Sequence, residues 1–92
     1  MFTKYSKPIV INLRDEIYIK KFGANLKKLR LAKGFSQEEL ANLSDVSLPQ
    51  ITRIERGIVN PTLCTIKSLA KGLEISTGEL FDFEILMGHT PT

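Results

Sequence analysis

The stretch that decides the fold is SQEELANLSDVSLPQITRIERG, residues 36 to 57. Ser36 is followed three residues later by Glu39, the reciprocal pairing in which each side chain accepts the other residue's backbone N–H at a helix start. That pairing predicts a helix from Ser36 to about Leu43. Ser47 followed by Gln50 repeats the start signal, with only Ser44 to Val46 between the two segments. A connection so short forces a steep crossing of the two helices, which needs a small residue at the contact, and Ala41 supplies one. Leu40, Val46, Ile51 and Ile54 are placed to fill the wedge between them. The remaining face of the later helix holds Leu48, Pro49, Thr52, Arg53 and Arg56, and it is left free to meet something outside the domain.

Upstream, Phe22, Leu26 and Leu29 recur at helical spacing with lysines between them, which predicts an amphipathic helix to about Ala32 with Gly34 at its C-terminal cap. Gly23 inside that helix reads as an imperfection of about 1 kcal/mol relative to alanine. Downstream, Thr62 after Pro61 is a weaker start signal, and Leu63, Ile66, Leu69, Ala70 and Leu73 form one apolar stripe of a fourth helix. Ser76 with Glu79 opens a fifth, carrying Leu80, Phe81 and Phe83. The fold class is therefore all-α, a bundle of five helices. The first eighteen residues read differently, because Ile9, Val10, Ile11 and Leu13 follow Pro8 without a cap and predict a short strand or an extended arm. The division is an arm at 1–18, a helical domain at 19–87 and a tail at 88–92.

Ninety-two residues hold one core and no second domain. With 42% hydrophobic and 25% charged residues, the composition is that of a soluble globular chain. No apolar run approaches the roughly 18 residues needed to span a bilayer, and the N-terminal residues lack the continuous apolar stretch of a signal peptide, so a cytoplasmic location is expected. One cysteine, Cys64, excludes an internal disulfide and is expected to be buried. His89 lies alone in the tail. No metal-ligand spacing, no nucleophile with a base and no phosphate-binding glycine loop appears, so no metal, cofactor, small-molecule ligand or catalytic residue is expected. The net charge of +3 decides little, but its distribution says more. Lys20, Lys21, Lys27, Lys28, Arg30 and Lys33 fall in a stretch without acids, whereas Glu74, Glu79, Asp82 and Glu84 cluster towards the C-terminus.

Residues 22 to 83 resemble the helix-turn-helix family of phage repressors, Cro proteins and Xre-type regulators. The likeness is carried by Leu29-Arg30, by Ser36-Gln37-Glu38-Glu39-Leu40-Ala41, by Val46-Ser47, by Ile51-Thr52-Arg53-Ile54-Glu55-Arg56-Gly57 and by Asn60-Pro61-Thr62. It implies a repressor-like five-helix bundle that binds operator sequences in double-stranded DNA, usually as a homodimer. By the same resemblance Gln37 holds a phosphate and braces the recognition helix, and Ser47 caps that helix. Positions matching Leu48, Pro49, Thr52 and Arg53 reach base edges or nearby phosphates, whereas those matching Gln50, Arg56 and Asn60 hold the backbone. Arg30 and Glu55 match a buried ion pair between the first and third helices.

Two departures bear on these roles. Asp45 stands where the family's turn often has glycine, and aspartate tolerates left-handed geometry. Leu48 and Pro49 replace polar readers and have no side-chain hydrogen bonds to offer, although both can pack against a thymine methyl group. Readout then rests mainly on Thr52 and on Arg53, whose guanidinium suits a guanine edge at about 1–3 kcal/mol of discrimination. The apolar residues Ile75, Leu80, Phe81, Phe83, Ile85, Leu86 and Met87 exceed what a last helix needs for its own core. They predict a symmetric dimer contact that spaces two recognition helices about 34 Å apart, with core packing as the plainer reading. The arm offers a second route to a partner, as a strand across the dimer or by bringing Lys4 and Lys7 to DNA. The leading function is transcriptional regulation, most simply repression. A restriction-modification controller, an antitoxin that represses its own operon, and a protein-interaction module that keeps the fold are the alternatives.

Overall fold

The computed structural model describes residues 14–84. Its elements are five helices, α1 (Glu16–Ala32), α2 (Gln37–Ser44), α3 (Leu48–Glu55), α4 (Leu63–Leu73) and α5 (Thr77–Leu80). Residues 1–13 of the expected arm and the whole expected tail, with Lys4, Lys7, His89 and the apolar residues Ile9 to Ile11, Leu13 and Ile85 to Met87, lie outside the described residues. No described helix is long and apolar enough to cross a membrane.

Each helix begins where a short polar side chain accepts a backbone N–H three residues on. Ser36 and Ser76 do so in complete reciprocal boxes with Glu39 and Glu79, and Ser47 and Thr62 do so alone. The first helix starts earlier than its apolar spacing implied. Asp15 caps it by accepting from the Tyr18 N–H at 3.0 Å, and the apolar stripe runs back through Ile19. Residues 16 to 18, read from the sequence as arm, are thus helical. They reach the end of the described chain, where the Tyr18 ring packs against Phe83 at 5.2 Å between centroids and Phe22 against Phe81 at 5.1 Å.

The core is the set that periodicity selects: Phe22 and Leu26 from α1, Leu40 and Ala41 from α2, Val46, Ile51 and Ile54, then Ile66, Leu69, Ala70 and Leu73 from α4 and Leu80 from α5. Burying these side chains out of water is the main favourable term. Leu80 is fully buried, and Ile75 and Phe83 pack against the core. Core packing therefore accounts for three of the residues assigned from sequence to a dimer contact, and Phe81 remains 37% exposed. Asn25 fastens the two ends of the bundle, its buried Nδ2 donating to the carbonyls of Glu79 at 3.0 Å and Leu80 at 2.9 Å.

Two sequence expectations about α4 are corrected. Leu63 shares the apolar stripe but opens the helix, where no described residue covers it, and it is 84% exposed. Cys64 is exposed rather than buried, because a residue two before Ile66 sits roughly 160° round the helix from the buried stripe. A thiol reagent is accordingly expected to modify Cys64 in the native protein at a rate close to that in denaturant. Strong protection under native conditions would contradict this placement.

Candidate functional site

The α2–α3 pair presents one surface that the core does not use. α2 ends at Asp45, whose backbone is left-handed at φ 58°. Aspartate takes this conformation more readily than most residues, so the chain reverses in two residues and α3 starts at once. Ile51 and Ile54 turn inward and are buried, which points the opposite face of α3 outward. On or beside that face lie Leu48, 39% exposed, with Pro49, Arg53 and Arg56 exposed and Thr52 half-buried at its edge. Asn60 is exposed in the loop that follows α3.

The N-terminus of α3 is capped by Ser47, whose Oγ accepts the Gln50 N–H at 3.3 Å. Pro49 has no N–H to offer. Two of the donors of a free helix start are therefore taken or missing, which leaves fewer backbone N–H groups there for an anion. The charge balance still favours an anion. The first turn of α3 holds no acidic residue, unlike that of α2 with Glu38 and Glu39, so the positive end of the helix dipole is not offset locally.

Behind the surface, a chain of hydrogen bonds ties three helices together. Arg30 on α1 donates through Nε to Glu55 Oε2 at 2.6 Å and through Nη2 to Oε1 at 3.0 Å, and through Nη1 to the Phe35 carbonyl at 2.7 Å. Both side chains are sealed from water, at 7% and 3% exposure. The bonds to Glu55 hold the Arg30 guanidinium above its ordinary pKa, against the opposing effect of burial. Gln37, the first residue of α2, donates through Nε2 to Glu55 Oε1 at 2.9 Å and accepts the Thr52 hydroxyl at 3.0 Å. Gln50 turns to α4, with Nε2 3.5 Å from Thr65 Oγ1.

The structure thus brings Gln37, Thr52, Glu55 and Arg30 into one network, and leaves Leu48, Pro49, Arg53, Arg56 and Asn60 turned to solvent. Sequence reading did not find the bond between Gln37 and Thr52. The two residues are fifteen apart, and only the crossing angle of α2 and α3 makes them neighbours. It also missed the contact from Gln50 to Thr65, for the same reason.

Comparison with known proteins places this arrangement among described ones. The helix-turn-helix model HTH_3 matches residues 26–80. The HTH-type transcriptional regulator y4dJ of Sinorhizobium fredii is 41% identical over 58 residues, which are 63% of this chain and 75% of that protein. The matched segment spans 43% of the longer Bacillus subtilis regulator SlrR. Among solved structures, the restriction-modification controller protein C.AhdI from Aeromonas hydrophila superposes with a TM-score of 0.67 at 46% identity, covering 68% of this chain and 96% of that one. The controller protein C.Esp1396I, solved as a tetramer in complex with its natural 35 base-pair operator, gives a TM-score of 0.68 at 35% identity, covering 74% and 90%.

Proposed function

Because this chain belongs to the helix-turn-helix family HTH_3, we propose that it is a transcriptional regulator that binds a specific operator in double-stranded DNA as a homodimer, most simply as a repressor. The observation that carries this reading is the outward face of α3. A capped helix is held rigidly by a buried ion pair while its exposed side carries Arg53, Arg56, Leu48 and Pro49 and no acidic residue in its first turn. An α-helix fits the major groove of B-form DNA, and cationic side chains with an uncompensated N-terminal dipole favour its phosphates. Arg53 suits a guanine edge, Leu48 and Pro49 suit thymine methyl groups, and Gln37, Gln50, Arg56 and Asn60 hold the backbone. A genomic target implies a cytoplasmic location, and regulation of this kind needs no catalysis. The likeness to C.AhdI over nearly all of that protein favours a restriction-modification controller among such regulators.

Selection of bound sequences from a pool of random duplexes tests the reading. An inverted repeat with half-sites about 10 base pairs apart is the expected result, with the logarithm of the binding constant falling by about 0.9 per contacted phosphate for each unit of log salt. A pool that stays random, or binding that ignores salt, would overturn it. Within the selected site, Arg53→Ala is expected to lower specific affinity by roughly 5- to 150-fold, equivalent to about 1–3 kcal/mol, and to leave nonspecific binding nearly unchanged. Gln37→Ala is expected to weaken both, and equal losses for the two variants would refute this division of roles.

A further inference from the structure

The hydrogen bonds behind α3 run in one direction, and that direction ends at the exposed face. Arg30 has only protons to give, and it gives two of them to Glu55, at 2.6 and 3.0 Å. A carboxylate paired in this way has only lone pairs to offer. The Gln37 atom 2.9 Å from Glu55 Oε1 is therefore the amide nitrogen, since the flipped amide would set two acceptors face to face. That choice puts Gln37 Oε1 opposite Thr52, where it takes the hydroxyl proton at 3.0 Å. Thr52 has one such proton. Committed inward, it leaves the outer side of the residue with oxygen lone pairs and a methyl group.

A threonine hydroxyl in a major groove ordinarily serves as donor or acceptor, so it discriminates poorly between base edges. The relay removes that ambiguity. We propose that Thr52 reads the operator as an obligate acceptor. On the strand it faces it recognises an exocyclic amino group, N6 of adenine or N4 of cytosine, and it rejects O4 of thymine and O6 and N7 of guanine. The proposal rests on the operator-binding reading above and adds to it the chemical class of base at one position. For Thr52 to donate outward its hydroxyl must leave Gln37, and the half-buried amide oxygen then loses its partner. Breaking a bond of that kind shifts the equilibrium by roughly three- to tenfold. Arg30 and Glu55, which never touch DNA, act here as positioning residues.

The test repeats the random-duplex selection with the wild type, Thr52→Ser, Thr52→Val and Gln37→Leu, each shown by its thermal melt to be folded. The wild type and Thr52→Ser are expected to enrich adenine or cytosine at one position of each half-site. Thr52→Val, which keeps the shape and loses the lone pairs, is expected to lose that preference and retain the others. Gln37→Leu frees the hydroxyl proton and is expected to admit guanine or thymine at the same position while binding more weakly overall. A DNA-side measurement does not depend on any variant. Replacing the selected adenine by purine, or the cytosine by 2-pyrimidinone, deletes only the amino group and is expected to weaken the wild type roughly three- to tenfold per half-site. Enrichment of an unchanged motif by Thr52→Val, or equal binding of the amino-deleted duplex by the wild type, overturns the proposal and leaves operator binding standing. A wild-type pool with no enriched sequence overturns both.

Discussion

Glu55→Ala is expected to cost about 3–5 kcal/mol of stability, the usual consequence of stripping one partner from a buried ion pair. The reason lies with what is left behind. Arg30 is 7% exposed, and its Nε and Nη2 both point at the carboxylate that the substitution removes. A guanidinium does not lose its proton in a folded protein, and Glu55 holds this one above its ordinary pKa rather than below it. The sign of that shift means the contribution is complete below the unfolded arginine value and is lost only as pH rises through the folded one. No working pH offers an escape by neutralisation. Gln37 Nε2 loses its acceptor at the same time. Domains of this size hold only about 5–15 kcal/mol in total, so much of the chain's stability is at stake. At about 4–8 °C per kcal/mol, the melting temperature is expected to fall by at least about 12 °C.

A companion variant separates the charge from the contact. Replacing both partners, as in Arg30→Met with Glu55→Leu, removes the stranded charge and is expected to recover most of the loss. Recovery will be incomplete, because the Phe35 carbonyl also depends on Arg30 Nη1, at 2.7 Å, and an unmet hydrogen bond costs about 1 kcal/mol. Thermal melts of the single and double variants decide the matter. A Glu55→Ala protein that melts within a degree or two of the wild type would remove the pair from any role in holding α1 to α3.

That pair explains why an exposed surface can be both polar and rigid. α3 is only eight residues long, and a helix so short is not stable on its own. Its orientation is set by Ile51 and Ile54 below, by Glu55 against α1 and by Thr52 against α2. The side chains that face outward are therefore carried on a platform fixed from three directions. Such fixing limits the entropy lost on binding.

What was legible in the sequence follows from the range of the interaction concerned. Helix starts at Ser36, Ser47, Thr62 and Ser76 are bonds to a backbone N–H three residues away, so pattern alone finds them. The buried faces of α2, α3 and α4 repeat at the helical period and were equally open to reading. The start of α1 is obscured by the β-branched run before it, although Asp15 is a competent cap. Residue type misleads at Cys64, whose angle from the Ile66 stripe puts it outside. The network from Arg30 to Thr52 was only half visible, since its first pair rested on family resemblance. Its second half depends on a crossing of helices that no local pattern encodes. Which of the C-terminal apolar residues serve the core is hidden from the sequence for a related reason. Leu80 and Ile75 are needed inside, a demand set by how α5 packs on α1 and α4 and not by the local run of hydrophobic residues.

Gly23 is the position where sequence and structure predict opposite signs. By helix propensity alone, Gly23→Ala in the interior of α1 gains about 1 kcal/mol. In the folded chain a Cβ at Gly23 would collide with the Ile54 carbonyl oxygen and lie 3.0 Å from that of Glu55. Both atoms are backbone, so no side chain can swing aside, and α1 and α3 have to part. Overpacking against rigid neighbours costs about 1–3 kcal/mol and sometimes more, which outweighs the propensity gain. The damage is also aimed, because Arg30 is seven residues on and occupies the same face of α1. Parting the helices at Gly23 therefore stretches the bonds from Arg30 to Glu55 that orient α3. Gly23→Ala is expected to lower the melting temperature and to weaken operator binding beyond what its unfolded fraction explains. Ala24→Gly, one residue along on the exposed side of α1, is a control that is expected to lose only about 1 kcal/mol and to bind normally once folded. A Gly23→Ala protein that melts higher than the wild type would show that α1 and α3 are not in contact there. The recognition surface would then need some other anchor.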